Sequence, residues 1–263
     1  MEPTVSDYFG CKTPAAKGRK TNAGVLVGIE IELEKIQFLR NPLGWKKEND
    51  NSLKDRGMEF TLPVWSTQAE EWLNELFACF QEAKSSPRCS VHIHANVTDF
   101  TLDQIKCLIL LYTIFERPLY RFSGKRWNNI YCVPVQTWAV GINLDDYSFN
   151  DIRKLFPKYS GISVFPDMNR DIILGTVEFR QMAGNKNVLY IKAWIDIITN
   201  LVKYSQEQNY AALKTRIHNM RQTSQYWELF KEIFKDKVPA LNYSDFDKDV
   251  ETGITFAKLI SGN

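Results

Sequence analysis

The sequence has no excess of charge of either sign and no apolar run of membrane length. Its 33 basic and 31 acidic residues leave a formal net charge of +2, which is too balanced to indicate nucleic-acid binding through bulk electrostatics. The longest strongly apolar run, residues 107–115, is too short to span a bilayer. The N-terminal residues lack the basic and apolar stretches of a secretory signal. We therefore expect no membrane partner.

Cysteine is also scarce. The five cysteines are widely spaced and form no Cys-x-x-Cys pair, and Cys79 and Cys107 fall in apolar helical patterns, where a reduced cysteine acts as a small hydrophobe. This usage predicts a reducing, cytoplasmic compartment.

Neither Gly-x-x-x-x-Gly-Lys-Ser/Thr nor Gly-x-Gly-x-x-Gly is present. A nucleotide would therefore have to bind through a metal on a sheet face, with cations supplied by loops.

A chain of 263 residues is long enough for one large domain with a smaller appendage. Residues 1–22 are basic and poor in apolar side chains, which predicts a flexible leader. Within it, Val5–Phe9 loosely resembles the peptide that docks into sliding clamps, so a weak association with a clamp or with nucleic acid is a candidate role beside that of a disordered tail. Residues 23–204 form the main domain, and 205–263 a helical C-terminal extension packed on it.

The stretch from Gly24 to Glu34 alternates apolar residues with the carboxylates of Glu30, Glu32 and Glu34. Alternation with period two predicts a strand with one buried face. Carboxylates on one face of a strand lie about 6–7 Å apart, so Glu30 and Glu32 suit one shared hard cation or two adjacent ones. A polar face that simply meets water explains the same pattern. We expect Glu34 to lie past the site, near the end of the strand.

Three further predicted strands also carry ionisable groups on one face. They are residues 57–62 with Glu59, residues 88–97 with His92 and His94, and residues 173–182 with Glu178 and Arg180. A solvated sheet face would show mixed Thr, Lys, Ser and Gln instead. Like charges across a sheet are destabilising unless something neutralises them. A divalent metal is the simplest neutraliser, and Arg180 adds a fixed positive charge for an anion.

Only three histidines are present, and His92 and His94 point the same way from one strand. This pair, opposite a Glu-x-Glu pair, favours a metal or phosphate site over a structural role. Carboxylates dominate the candidate ligands, which favours Mg²⁺ or Mn²⁺ over Zn²⁺ or Fe²⁺. Arg126 and Lys158 are the loop cations we single out for a nucleotide, against the alternative of solvated surface charges. His218 is interpreted as an ordinary surface residue without partners.

The remaining pattern predicts mainly helices. Capping boxes at 67–70 and 101–104 open a helix that ends at 84–87 and a longer, largely apolar helix through Leu119. Residues 188–204 and 226–234 follow helical spacing as well. Residues 130–135 and 138–144 are predicted strands. Residues 145–171 are predicted to be rich in loops.

The order of these motifs resembles the amidoligase family, a branch of the carboxylate–amine ligases related to glutamine synthetase and glutamate–cysteine ligase. The resemblance rests on Gly28-Ile-Glu-Ile-Glu32, Asp50-x-Ser-Leu53, Gly57-x-Glu59, Cys89-x-Val-His-Ile-His94, Arg126 and Thr176-Val-Glu-Phe-Arg180, and it covers residues 24–204. It implies an α+β fold in which a curled, mostly antiparallel, glutamine synthetase-like sheet packs with helices and binds Mg–ATP on its concave face. The implied activity joins a small-molecule or peptide carboxylate to an amine through an acyl phosphate.

The resemblance also implies roles for individual residues. Metal ions would be held by Glu30, Glu32, Glu59, His94 and Glu178. The nucleotide would contact His92, His94, Arg180 and Lys158, and the catalytic residues would be Arg180, Arg126 and Asp50. Arg180 and Arg126 would neutralise phosphate charge, and Asp50 would bind either the substrate amine or a metal. Asn51 and Ser90 stand where the family has glycine, which puts the local backbone geometry in question.

Two other functions use the same residues. A metal-dependent hydrolase or nuclease would need a metal-activated water and no ATP. A non-catalytic binding module would keep the fold and use the leader to bind its partner. The substrates are not readable from one sequence, since specificity would lie in loops, here 35–57 and 145–171.

Overall fold

The computed structural model describes residues 2–20, 24–55, 57–124, 126–169, 172–237 and 246–262. The chain is a mixed α+β protein with an open, antiparallel sheet and helices packed against it. This confirms the α+β class predicted from the sequence. The finer assignment to a glutamine synthetase-like fold remains a prediction.

Among the residues that the structure describes, seven strands form the main sheet and two more form a separate hairpin. The strands are β1 (Leu26–Phe38), β2 (Lys46–Asn49), β3 (Met58–Trp65), β4 (Phe80–Lys84), β5 (Ser90–Asn96), β6 (Ile162–Val164), β7 (Asp167–Asn169), β8 (Ile172–Ile173) and β9 (Thr176–Ala183). In the main sheet the spatial order is β2-β3-β1-β5-β9-β6, and β4 pairs with the distal part of β1. Within the described part of the chain, β7 pairs with β8.

The alternation in β1 sets which face of the sheet is buried under helices. Val27, Ile29, Ile31 and Leu33 are all fully buried in the hydrophobic core. Apolar residues of β5 and β9 extend the same layer, including Ile93 and Phe179. The opposite face is left with the ionisable side chains.

The helices lie mostly after β5 in the chain. They are α1 (Val5–Phe9), α2 (Ala69–Phe77), α3 (Leu102–Phe122), α4 (Phe149–Leu155), α5 (Val188–Gln206), α6 (Tyr210–His218), α7 (Thr223–Phe234) and α8 (Phe246–Ile260). The predicted capping box of α3 is confirmed, since Thr101 N–H donates to Gln104 Oε1 at 2.9 Å and Gln104 N–H donates back to Thr101 Oγ1. In the part of the chain that the structure describes, no helix has the length and apolarity needed to cross a membrane.

The C-terminal helices join the same body through α3 and α5. Gly253 of α8 lies so close to α3 that an added Cβ would approach the Ile114 carbonyl oxygen to 2.1 Å. Arg121 Nε donates to Asp249 Oδ2 at 2.7 Å across the same helix pair. The ring of Phe115 contacts aromatic rings of α7. Residues 205–237 and 246–262 thus pack on the layer of helices that covers the sheet.

Two predicted local structures are wrong around α2. The N-cap of α2 is Gln68 rather than the predicted Thr67, and Gln68 makes no side-chain capping hydrogen bond. The helix was expected to run to 84–87, but residues 80–84 are strand β4. The Phe80 ring packs 5.3 Å from that of Phe60 and 5.5 Å from that of Phe38. This tertiary contact explains why the helical spacing of Phe80 was misleading.

The predicted strands at 130–135 and 138–144 are also wrong. Residues 135–137 and 144–146 form short 3₁₀ turns. Buried Glu116 of α3 reaches across and accepts the N–H groups of Val135 and Gln136 at 2.6 and 2.9 Å. These backbone donors are therefore satisfied by a side chain rather than by a sheet partner. Residues 145–171 hold α4 and β6 as well as loops.

The N-terminal segment differs from the flexible leader expected from composition. Residues 5–9 form α1, whose Val5 is fully buried and donates its N–H to Phe100 O at 2.9 Å. The Phe9 ring lies 5.1 Å from that of Phe165. The apolar residues of the clamp-like peptide thus pack within this chain.

Candidate metal and nucleotide site

Four neighbouring strands build the ionisable face. In the register of the sheet, Glu32 of β1 lies opposite Glu59 of β3, and Glu30 of β1 lies opposite His92 of β5. On the next pair, His94 of β5 lies opposite Glu178 of β9. The predicted grouping of these side chains on one face follows from the order β3-β1-β5-β9. Their roles as ligands remain predictions.

The first group of side chains, which we call the histidine cluster, consists of Glu30, His94 and Glu178. One ligand atom from each lies within 4.8 Å of the others. His92 Nδ1 donates to Glu30 Oε2 at 3.0 Å and lies 3.3 Å from Glu178 Oε1. His94 Nε2 lies 3.0 Å from Glu30 Oε1, but this approach lacks the direction of a hydrogen bond. Arg180 donates through Nη1 to Glu178 Oε1.

Charges in the histidine cluster compensate one another. Burial disfavours the protonated form of His94, but the carboxylates of Glu30 and Glu178 outweigh burial and raise its pKa to about 9. Burial likewise opposes ionisation of Glu30, yet His94 and His92 hold the pKa of Glu30 well below its ordinary value. A metal bound to His94 would therefore have to displace a proton.

The second group, which we call the carboxylate cluster, consists of Glu32, Asp50 and Glu59, again with one oxygen from each within 4.8 Å of the others. Ser90 holds Glu32 by donating its N–H and its hydroxyl to Oε2, at 2.7 and 2.6 Å. Asp50 directly follows β2, which pairs with β3, and Asp50 Oδ1 accepts the N–H of Ser52 at 2.7 Å. The β2–β3 hairpin thus brings Asp50 to Glu59.

The carboxylate cluster has no internal compensation. Burial and the charges of Glu30, Glu32, Asp50 and Glu48 raise the pKa of Glu59 to about 8. Within the described ranges, no lysine, arginine or histidine forms an ion pair with a member of this cluster. A divalent cation would relieve the repulsion that raises this pKa.

The donor sets of both clusters fit Mg²⁺ or Mn²⁺. Five of the six ligands are carboxylates, and hard divalent cations prefer oxygen. The hydrogen bonds that orient Glu32 are the outer-shell support that metal-ligating carboxylates need. Ser90 was singled out in the sequence only as a departure from glycine. Its hydroxyl supplies a hydrogen bond to Glu32 that glycine at this position would lack.

Thr176 was also missed, although the sequence placed it on the face of Glu178. Its hydroxyl shares a hydrogen bond of 3.3 Å with His94 Nδ1, the ring nitrogen that faces away from Glu30. This contact fixes the orientation of the imidazole. A small polar residue two positions before Glu178 on the strand was the available signal.

A β-bulge interrupts the pairing of β9 with β5 next to Arg180. Val91 pairs with Met182 and Ile93 with Phe179, so that two residues of β9, Arg180 and Gln181, face the single residue between them on β5. Gln181 turns to the helix layer, where its Nε2 donates to the Tyr112 hydroxyl. Bulges commonly redirect side chains beside active sites. Strict alternation gave no sign of this one.

The two predicted loop cations lie in different places. Buried Arg126 is fixed to the backbone of β9, because its Nη1 donates to the carbonyls of Arg180 and Met182 at 3.1 and 3.2 Å. Lys158 is exposed, with its ammonium 5.4 Å from the ring centroid of Tyr159. It forms no ion pair with any described carboxylate. The structure therefore brings Arg126 to the edge of the site and does not join Lys158 to either cluster.

Two minor predictions need correction. β1 continues to Phe38, so Glu34 lies within the strand rather than near its end, and its buried carboxylate accepts the N–H of Lys54 at 2.8 Å. His218 is not without a partner, because its Nε2 lies 2.9 Å from Ser261 Oγ. Neither residue belongs to the clusters described above.

The sequence matches no protein-family model and no curated protein. Among solved structures, it is similar to a bifunctional glutathione synthetase from Pasteurella multocida, with a TM-score of 0.44 and 11% sequence identity. The alignment covers 91% of this chain and 49% of that one, so this chain spans about half the length of that protein. A likeness this distant carries no argument about activity. The resemblance to amidoligases therefore stays a prediction from the motifs alone.

Proposed function

We propose that this chain is an ATP- and Mg²⁺-dependent ligase that joins a carboxylate to an amine through an acyl phosphate. The observation that carries the proposal is the pair of adjacent ligand clusters on one sheet face, with Arg180 at the side of the histidine cluster. Phosphoryl transfer depends on positioning and on neutralising charge rather than on a protein nucleophile. Two cation sites and a fixed guanidinium supply those two requirements.

Each cluster would hold metal with its own ligands. Glu30, His94 and Glu178 would form one site, and Glu32, Asp50 and Glu59 the other. When bound, the metal ions neutralise phosphate oxygens and the developing negative charge. The protein contributes the orientation of these ligands through Ser90 and Thr176.

The two arginines offer unused donors for an anion. Arg180 and Arg126 both have an Nε that is buried and has no hydrogen-bond partner among the described residues. A buried donor left unpaired costs free energy, on the order of 1–3 kcal/mol or more for a charged group. A phosphate oxygen would satisfy such donors, which supports the predicted roles of both residues in phosphate neutralisation.

The proposed reaction has two balanced steps. A carboxylate oxygen of the substrate attacks the γ-phosphorus of ATP, the bond to the β–γ bridging oxygen breaks, and ADP leaves. The amine nitrogen then attacks the acyl carbon, the acyl–oxygen bond breaks, and inorganic phosphate leaves while the amine proton passes to water. The products are an amide, ADP and phosphate. Asp50, in the carboxylate cluster, remains a candidate for binding either metal or the substrate amine.

The test is ADP formation by the purified chain with ATP, Mg²⁺ and pools of carboxylates and amines. We expect ADP release that requires both substrates and Mg²⁺. Arg180→Met should lower the rate by roughly 10²–10³-fold, the cost of removing one electrostatic stabiliser. Arg40→Met is the matched control, since Arg40 is a half-exposed arginine that pairs with Glu75 outside the site.

Phosphodiester cleavage without ATP would contradict the ligase and support a metal-dependent hydrolase instead. ADP release that does not depend on the amine would contradict only the second step of the proposed reaction. Metal binding without any turnover in either assay would support a non-catalytic module.

A further inference from the structure

A cavity of about 160 Å³ lies on the ionisable face beside the histidine cluster, where Glu30 and His94 form part of its wall. The rest of the wall is largely apolar, with Pro14, Leu26, Pro63 and Leu174, and it also contains the polar residues Thr61, Asn96 and Thr176. An apolar cavity of about 150 Å³ in another protein holds benzene. The space therefore suits a compact apolar group, placed directly against candidate metal ligands.

The N-terminal segment supplies one side of this cavity. Pro14 is held over the sheet by contacts on both sides of it in the chain. Before it, Cys11 Sγ donates to Ile173 O at 3.3 Å, and Thr13 Oγ1 lies 3.0 Å from Thr98 Oγ1. After it, Lys17 N–H donates to the carbonyl of a second wall residue, Pro63, at 2.9 Å.

Gly28 forms the floor of the cavity next to His94. A Cβ at this position would lie 3.3 Å from the Cβ of His94, which is a tight contact. A larger residue in place of Gly28 would therefore enter the space between the floor and the histidine. The glycine keeps the cavity open up to the cluster.

We propose that this cavity binds the apolar side chain of the carboxylate substrate, an amino acid with a branched aliphatic or benzyl group. The inference rests on the proposed function, because it places the carboxylate of that substrate at the neighbouring histidine cluster. A charged side chain placed against the apolar part of the wall, which includes Leu26, Pro63 and Leu174, would lose hydration there without gaining a hydrogen bond from those residues, which is costly. A small side chain such as that of alanine would leave much of the space unfilled.

The test is direct binding, which does not require turnover. Calorimetry with Mg²⁺ and a non-hydrolysable ATP analogue compares glycine, L-alanine, L-leucine, L-phenylalanine and L-glutamate. We expect leucine or phenylalanine to bind at least about tenfold more tightly than alanine or glutamate, since each buried methylene adds to affinity.

Leu174→Trp fills the cavity and should reduce the affinity for leucine to that for alanine. Leu174→Ala enlarges the cavity and should shift preference towards phenylalanine, which keeps the test decisive if the tryptophan variant fails to fold. Leu43→Trp is the control, because Leu43 is 70% exposed and lies outside this wall. The control should bind leucine as the unmodified chain does.

Equal binding of all five amino acids would overturn the inference. Weaker binding of the ATP analogue to Leu174→Trp, with leucine binding unchanged, would also overturn it by assigning the cavity to the nucleotide base. Discrimination among the amino acids in a chain that forms no ADP would refute the proposed ligase activity and leave the cavity assignment standing. If instead the chain forms ADP with glutamate at a rate that Leu174→Trp does not change, the cavity assignment is refuted and the proposed ligase activity stands.

Discussion

The two ligand clusters lie on neighbouring strands, yet they handle their negative charge in different ways. In the histidine cluster, imidazoles and Arg180 compensate Glu30 and Glu178. In the carboxylate cluster, no described cation does so, and a proton on Glu59 takes that role near neutral pH. The charges of the histidine cluster are therefore balanced without a metal, whereas the carboxylates of the other cluster repel one another unless a proton or a metal ion is bound. We expect metal to stabilise the fold mainly through the carboxylate cluster.

The largest expected effect is the loss of activity in Glu30→Gln. Glu30 contacts both His92 and His94, so its removal disturbs the whole histidine cluster. We expect the rate of ADP formation to fall by roughly 10²–10³-fold or more. Glu82→Gln is the matched control, since Glu82 is an exposed strand glutamate on β4. Unchanged Mg²⁺ binding in Glu30→Gln would show that this strand does not form the metal face.

Glu59→Gln should separate metal affinity from stability. Losing a ligand of the carboxylate cluster should weaken Mg²⁺ binding by about 100-fold or more, beyond the effect of losing an outer-shell partner. In EDTA at pH 8, however, the variant should melt a few degrees higher than the unmodified chain, because the repulsion that raises the pKa of Glu59 is gone. Thermal unfolding at pH 5 and pH 8 checks this. A variant that melts lower at both pH values would contradict it.

The pH dependence of the stability of the metal-free chain follows from Glu59 and His94. The pKa of Glu59 rises from an ordinary value of 4.5 to about 8, so the folded state holds a proton that the unfolded state has lost, and stability falls as pH rises through this window. The pKa of His94 rises from 6.5 to about 9, so the stability it contributes is fully present below pH 6.5 and is lost as pH approaches 9. We expect melting temperature in EDTA to decline between pH 5 and pH 9.

The variant His94→Gln tests how much of that decline in melting temperature comes from His94. The variant should lose stability mainly at pH 6 and should differ less from the unmodified chain at pH 9. Excess Mg²⁺ should make the melting temperature of the unmodified chain depend less on pH. A free metal concentration of 100 times the Kd adds about 2.7 kcal/mol to the free energy of unfolding. A profile that Mg²⁺ leaves unchanged would argue against metal at either cluster.

The smallest expected effect is that of Ser90→Gly, which places the glycine of the amidoligase pattern at this position. It removes the hydroxyl donor to Glu32 Oε2 but keeps the N–H donor. Mg²⁺ affinity should fall by about tenfold, as for the loss of one outer-shell hydrogen bond. Isothermal titration measures this. An unchanged affinity would show that the N–H alone orients Glu32.

Most of the site's strands were predictable because their residues alternate strictly. β1 and β5 each alternate fully buried apolar residues with ionisable ones, and that pattern predicts a strand with one buried face. Asp50 was harder to place, since β2 is entirely exposed and carries no hydrophobic alternation. Its approach to Glu59 depends on pairing with β3. The bulge at Arg180 and Gln181 depends likewise on the partner strand.

Errors arose where a distant group decided local structure. Residues 130–135 have strand propensity, but the pairing is limited to an isolated bridge between Val133 and Ser160, and the buried carboxylate of Glu116 accepts the N–H groups of Val135 and Gln136. The N-terminal segment has the composition of a flexible tail, yet Val5 is fully buried and the Phe9 ring packs against that of Phe165. A single sequence does not show which surfaces are available for such contacts.

The sequence by itself determined which side chains share a face of each strand, because side-chain direction alternates along the backbone. It thereby identified the carboxylates and histidines as a set. Only the tertiary structure decided that this set divides into two clusters, since strand order and register place Glu30 beside His94 and Glu32 beside Glu59. It also decided their contrast in charge, because the strand order places the histidines and Arg180 beside Glu30 and Glu178 and leaves Glu32, Asp50 and Glu59 together.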